Sequence, residues 1–276
     1  MSDKEQAHGL PRRKKLEILK GLRLLDDIFF TKCFEGNNTC IELVLRIILN
    51  NPTIKVADVH TQNHIEKILH RSVRLDVFAR NAQDNTVYDV EIQRSDVGAN
   101  ARRARHNSAM LDSALLDKGD SVQNLPDAYV IFITENDFFG KGLPIYHVRR
   151  YVEELYTPFE DGSEIIYVNG SYYGDSNIGK LMHDFRSTDP NEMYFNVLSD
   201  RVRYFKEEPK GVRIMSKAME ELYYEAAKEG AKANAIETAR FLLTTQNFSD
   251  ELAAKATKLS LEEIGEIRKE LNSCNA

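Results

Sequence analysis

The sequence predicts an α/β fold, a mixed β-sheet core flanked by helices, with an α-helical C-terminal tail. Three observations predict it. Residues 72–93, S-V-R-L-D-V-F-A-R-N-A-Q-D-N-T-V-Y-D-V-E-I-Q, alternate with the two-residue period of paired strands. Residues 128–134, A-Y-V-I-F-I-T, form an apolar β-rich run suited to a strand buried on both faces. From Val212 onward Ala, Glu and Lys dominate with helical periodicity. At 276 residues and 42% hydrophobic, the chain can bury one substantial core and carry an appendage. The expected organisation is a flexible basic arm (1–15), a folded domain (16–210) and a helical C-terminal region (211–276).

The elements follow in order. Residues 1–15 are polar and end in Arg12-Arg13-Lys14-Lys15, the pattern of a solvated arm. Leu16 to Leu25 has helical character and leads into D-I-F-F-T-K-C-F (Asp27–Phe34), where Phe30 and Phe34 make a helix stripe. Thr39 to Leu49 is an apolar helix closed by Asn50-Asn51-Pro52. Ile54 to Val59 reads as a short extended piece and Thr61 to Leu69 as its link to the hairpin. His60, His64 and His70 share no helical face and are placed at the surface. After the hairpin, a helix of good formers starts at Ala99 and is stopped by Gly119. Ile145–Arg149 and Glu164–Asn169 supply further strands, and His183-Asp184 reads as a helix-end hydrogen bond rather than a general-base pair. In the tail, Met215, Met219, Leu222 and Tyr223 form one stripe and Ile236, Ala239, Leu242 and Leu243 another. Ser249 and Ser260, each followed by acids, read as N-caps. The last helix, Leu261–Leu271, carries Glu262, Glu263, Glu266 and Glu270 and would repel DNA. These C-terminal helices therefore suit protein contact or homo-oligomerisation.

The hairpin carries the chemistry. Ala82-Gln83-Asp84-Asn85 has turn character, since Asp and Asn bond their own backbone. A four-residue loop pairs Asn81 with Thr86 and, counting outward, Asp76 with Glu91. Directly paired residues share a face with Cβ atoms about 5 Å apart. Gln93, two residues on, shares it too. The reverse face would send Leu75, Val77, Val90 and Ile92 into a core. Two carboxylates so close repel, so one takes up a proton or both hold a cation. Hard divalent ions such as Mg²⁺ are often held by one or two carboxylates together with water and phosphate oxygens. Alternatively, the acids pair with Arg74 or Arg94 on a solvated face. On the following helix, Arg102 and Arg105 lie three apart on one face. Arginine grips phosphate with a bidentate fork, and salt bridges to Asp96 or Asp112 are the plainer alternative.

D-(x14)-E-x-Q, as Asp76, Glu91 and Gln93 on a hairpin, resembles the PD-(D/E)XK nuclease motif with Gln at the usual Lys position. The blocks D-I-F-F-T-K-C-F (27–34), R-L-D-V-F-A (74–79), V-E-I-Q (90–93), R-A-R-H-N-S-A-M-L-D (103–112), L-P-D-A-Y-V-I-F-I (125–133) and G-K-L-M-H-D-F-R-S-T-D-P (179–190) extend the likeness over most of the chain. Together they resemble the recombination-promoting nuclease (Rpn-type) transposase branch of that superfamily. The resemblance implies a restriction-endonuclease-like core and metal-dependent hydrolysis of DNA phosphodiesters. It implies Mg²⁺ or Mn²⁺ ligated by Asp76, Glu91 and the Ile92 carbonyl, with Gln93 orienting the attacking water. Asp27 would lie on the first core helix, where related nucleases place an acid near the metal; an N-cap explains it equally well. Two departures stand out. Leu75 replaces the Pro that names the superfamily, and Gln93 offers neither positive charge nor a general base.

Composition bounds the rest. The formal charge of −6 excludes a globally basic DNA coat, so DNA contact must come from local patches. Cys33, Cys40 and Cys274 lack metal-ligand spacing and fit reduced thiols in a cytoplasm. No apolar run precedes Leu16, and none approaches the roughly 20 residues of a membrane span, so neither a signal peptide nor a membrane anchor is expected.

Overall fold

Strand pairing dominates the architecture of the computed structural model, which describes residues 11–65, 73–116, 119–245 and 248–274. The described residues divide into two units, one up to residue 216 and one from residue 217 onward.

The first unit opens with three helices, α1 (Arg12–Gly21), α2 (Asp27–Phe34) and α3 (Asn38–Ile48). Pro11 stands at the N-cap of α1, where a missing N–H costs nothing, and Arg12–Lys15 form the first helical turn. Asn37 caps α3 by accepting from the Cys40 amide at 3.1 Å. Next come β1 (Val56–Ile65), β2 (Val73–Asn81) and β3 (Val87–Gln93) as an antiparallel meander. A crossover through α4 (Ala101–Ala114) leads to β4 (Ala128–Thr134), which is parallel to β3. Strand β5 (Ile145–Val148), a separate two-stranded ribbon of β6 (Tyr151–Val152) and β7 (Thr157–Pro158), and β8 (Ser163–Asn169) follow. The six-stranded sheet runs β1-β2-β3-β4-β8-β5, antiparallel at both ends and parallel in the middle.

Strand β1 is longer than its sequence suggests. D-V-H-T-Q-N-H lacks apolar alternation, yet it pairs with β2 along its length, with a register shift between Val56 and Asp58. At a sheet edge one face of backbone bonds suffices, and polar side chains are tolerated there. On this edge, exposed His60 lies 2.9 Å from Asp58. The His64 side chain and His70 lie outside the described residues.

Both faces of the sheet are covered, as a parallel centre requires. Helices α2 and α3 bring Phe29, Phe30, Phe34, Ile41, Val44 and Leu45, all fully buried, onto β1 to β3. Phe30 lies 4.4 Å from Phe34 and 6.2 Å from Phe185, ring centre to ring centre. Under α4, a second cluster joins Phe78, Val87, Ala104, Met110, Leu111, Val130 and Phe132; Leu75, expected on the reverse face, belongs to this cluster. Two further helices, α5 (Asn177–Arg186) and α6 (Asn196–Glu207), complete the unit before the long α7 (Pro209–Thr245). Asp184 is fully buried and accepts from the Tyr194 and Phe195 amides at 2.8 and 2.9 Å, so it ties the start of α6. His183 approaches it at 3.3 Å, a helix-end contact rather than a catalytic pair.

In the second unit, α8 (Asp250–Thr257) and α9 (Leu261–Cys274) follow the C-terminal half of α7. Ser249 accepts from the Leu252 amide, and Ser260 forms a reciprocal box with Glu263, at 3.2 Å from the Glu263 amide to the Ser260 hydroxyl and 2.9 Å from the Ser260 amide to the Glu263 carboxylate. Ala239, Leu243, Ala253, Ile264 and Ile267 make its small core. Leu222 and Tyr223 remain half exposed. Among the described residues no helix is long and apolar enough to cross a membrane.

Candidate active site at the β2–β3 hairpin

The four-residue loop forms, with the Asn81 amide bonded to the Thr86 carbonyl at 2.8 Å. Asn85 takes a positive φ of 61°, which Asn tolerates better than most residues. Backbone pairing then runs from Arg80↔Val87 to Val77↔Val90. One step further, where Asp76 and Glu91 come opposite, side chains take over from the ladder. The Asp76 amide donates to Glu91 Oε1 at 3.2 Å, and the Ile92 amide donates to Asp76 Oδ2 at 3.1 Å. Each carboxylate is thus fixed by the backbone beside the other, and both are buried, Asp76 at 8% exposure and Glu91 at 0%. Gln93 extends the same face, its Nε2 at 3.5 Å from Glu91 Oε2.

Helix α2 carries a further acid, Asp27, whose charge reaches Glu91. A network of Arg23, Asp26, Arg94 and Glu135 stitches the ends of β3 and β4 to the chain before α2. Arg94 lies 3.0 Å from both Asp26 and Glu135, and Arg23 lies 2.8 Å from Glu135. Asp27 is the first residue of α2, and Asp26 occupies the N-cap without capping it; the Asp26 carboxylate accepts instead from the Arg23 amide at 2.7 Å. Asp27 is therefore no N-cap. Its charge acts on Glu91, whose carboxyl is raised above its ordinary value by burial, opposed by the Asp76 amide and Arg103 and reinforced by Asp27. Arg94, expected as a partner for the hairpin acids, is engaged by Asp26 and Glu135. The Arg74 side chain lies outside the described residues.

Two site residues escaped the sequence reading. Asp89 sits on the same face as Glu91, fully buried, and neither of its oxygens has a partner in hydrogen-bond geometry. Burial first, then the charges of Glu91 and Asp76, push its carboxyl well above the usual range, which favours its neutral form. The Asn107 amide nitrogen on α4, another polar neighbour, is also buried without a partner. The signal was in the strand itself, because Asp89, Glu91 and Gln93 occupy alternate positions of Y-D-V-E-I-Q. Gly98 is the second. A Cβ there would stand 1.9 Å from Gln93 Oε1, so the Gln93 side chain rests where only glycine leaves room.

On α4, the residue that meets the acids is Arg103, with Nη2 at 3.5 Å from Glu91 Oε2. Asn100 caps this helix, accepting from the Arg102 and Arg103 amides at 3.1 and 3.0 Å. Arg102 and Arg105 are exposed on other faces. The donor set around Asp76 and Glu91 is all hard oxygen, which suits Mg²⁺ or Mn²⁺ and not a soft metal. No cluster of three or more His, Cys, Asp or Glu side chains in metal-holding geometry exists among the described residues. A cation here fits two carboxylates completed by main-chain and water oxygens.

A mixed sheet whose central hairpin braces two carboxylates, flanked by helices on both faces, defines a restriction-endonuclease-like α/β domain. The family model described as PD-(D/E)XK nuclease family transposase matches residues 26–172, a little over half of the chain, and the chain belongs to that family. The matched stretch contains Asp27, Asp76, Glu91, Gln93 and Arg103. No curated protein matches the chain, and no solved structure does.

Proposed function

We propose that this chain is a metal-dependent DNA endonuclease that hydrolyses phosphodiester bonds. The observation that carries the reading is the reciprocal brace, with Asp76 and Glu91 each anchored by the other's strand at 3.1–3.2 Å. Asp76, Glu91 and the Ile92 carbonyl would hold Mg²⁺ or Mn²⁺. Such an ion lowers the pKa of water and neutralises charge on a phosphoryl oxygen. In the reaction, water oxygen bonds to phosphorus and releases a proton to solvent, while the bond to the leaving sugar oxygen breaks and that oxygen takes a proton from solvent. Gln93 orients the water through its amide, which rests between Glu91 and Gly98. Asp27 adds negative charge that strengthens the pull on a cation. Arg102 and Arg105 contact the DNA backbone along the exposed start of α4. The C-terminal helices assemble copies of the chain, and the buried thiols of Cys33 and Cys40 fit a reducing cytoplasm.

A second reading has a specific observation behind it. Gln93 lacks the charge of a lysine, which would suit a nuclease fold that binds DNA or protein without cutting. A plasmid-nicking assay in Mg²⁺ and Mn²⁺ separates the two. The nuclease reading expects nicking that disappears in Asp76→Ala with the fold intact. Binding to DNA without nicking in any divalent metal would select the second.

A further inference from the structure

We infer that Arg103 supplies the positive charge that Gln93 lacks, acting from helix α4 on the phosphate being cleaved. This rests on the nuclease reading above. Hydrolysis of a phosphodiester builds negative charge on non-bridging oxygens, and a fixed cation aimed there stabilises it strongly in a water-poor site. At position 93 a neutral amide offers only a weak donor.

The geometry points to one replacement. Arg103 Nη2 and Gln93 Nε2 converge on the same atom, Glu91 Oε2, each at 3.5 Å. The guanidinium therefore stands beside the position that a longer cationic side chain on β3 would fill. Its contact with Glu91 is at the outer limit of a hydrogen bond. Arginine has five N–H donors, and among the described residues this is the one ion pair Arg103 makes. The Arg103 side chain is 44% exposed while Glu91 is at 0%, so the guanidinium sits where the buried carboxylate meets solvent. The neighbouring cations are committed differently, since Arg23 and Arg94 are held by Asp26 and Glu135. The backbone of Arg103 is also fixed, by the Asn100 cap at 3.0 Å, so the side chain leaves the helix from a rigid base.

A purely structural role is the rival: Arg103 could do no more than neutralise buried Glu91. The two differ in what they move. A structural arginine sets metal affinity, whereas a charge on the phosphate sets the chemical rate with metal and DNA saturating.

The test uses the full chain with end-labelled duplex DNA under single-turnover conditions in Mg²⁺ and Mn²⁺. Mn²⁺ affinity is measured calorimetrically, and thermal unfolding confirms folding of each variant. Arg103→Ala is expected to slow cleavage about 100-fold at saturating metal and DNA, with Mn²⁺ affinity nearly unchanged. Guanidinium ion in the buffer should restore much of the rate to Arg103→Ala and leave wild type unaffected. Arg103→Lys, which keeps charge but loses the planar fork, should fall between. Cleavage by Arg103→Ala at the wild-type rate overturns the inference. So does a defect that vanishes as Mn²⁺ is raised, because Arg103 then only shapes Glu91. Absence of cleavage by wild type in every divalent metal overturns the nuclease reading itself and this inference with it.

Discussion

Asp89→Asn separates burial from ionisation at the centre of the site. The wild-type carboxyl is fully buried with both oxygens unpartnered, and burial together with Glu91 and Asp76 raises its pKa well above 3.8. Below that ordinary value the folded and unfolded chains both hold the proton, and the contribution to stability is intact. As pH rises, the unfolded chain releases its proton while the folded chain keeps it. Wild type then loses about 1.4 kcal/mol per pH unit until the folded value is passed. Asparagine has the same shape and no charge to lose, and its oxygen can accept from the buried Asn107 amide. The variant is expected to gain on wild type by that slope, becoming the more stable protein near neutral pH. Urea unfolding of both chains in EDTA, repeated between about pH 4.5 and 7.5, gives the difference directly. Parallel stability curves, with no growth of the difference across that range, would refute a protonated Asp89.

Four other expectations follow from the same geometry. Gly98→Ala places a methyl where Gln93 Oε1 now rests, at 1.9 Å; nicking should fall by up to about 100-fold while calorimetric Mn²⁺ affinity holds. Asn100→Ala removes the α4 cap and should cost about 1 kcal/mol in urea unfolding. Lys206→Met deletes the ammonium that donates to the Lys20, Leu22 and Thr188 carbonyls at 3.0, 2.5 and 2.6 Å; a loss of about 2–3 kcal/mol is expected, seen as a lower thermal midpoint. Asp27→Asn removes a charge that raises the Glu91 carboxyl. The rise of metal-dependent nicking with pH should then shift to lower pH, while maximal activity drops because the site attracts the cation less.

The hairpin was legible because its register follows from arithmetic. A turn of four residues fixes Asn81 against Thr86, and every pair outward is then determined, Asp76 and Glu91 included. Strand β4 was equally plain, since A-Y-V-I-F-I-T has no other comfortable place than a covered sheet. Strand β1 was read too short because an edge strand is held by backbone bonds to β2, which leave no apolar pattern in D-V-H-T-Q-N-H. The start of α4 carries cations on more than one face. Spacing puts Arg102 and Arg105 on one face but does not say which face meets the sheet. The buried residues Ala104, Asn107 and Leu111 settle it, turning Arg103 toward Glu91. Asp89 shares its face with Glu91 and Gln93 by the alternation of Y-D-V-E-I-Q, but only the packed sheet shows it fully buried. Asp27 was open between cap and site acid. One residue of shift in the start of α2, with Asp26 drawn off by Arg23 and Arg94, decided against the cap.

Titration of Mn²⁺ into the metal-free protein, followed by calorimetry at several pH values, tests the braced pair most directly. Wild type should bind one ion per chain, and binding should tighten as pH rises, because burial raises the Glu91 carboxyl above its ordinary value. Asp76→Ala should bind none. Equal binding by wild type and Asp76→Ala, or no binding by wild type at millimolar Mn²⁺, would contradict a cation held between β2 and β3.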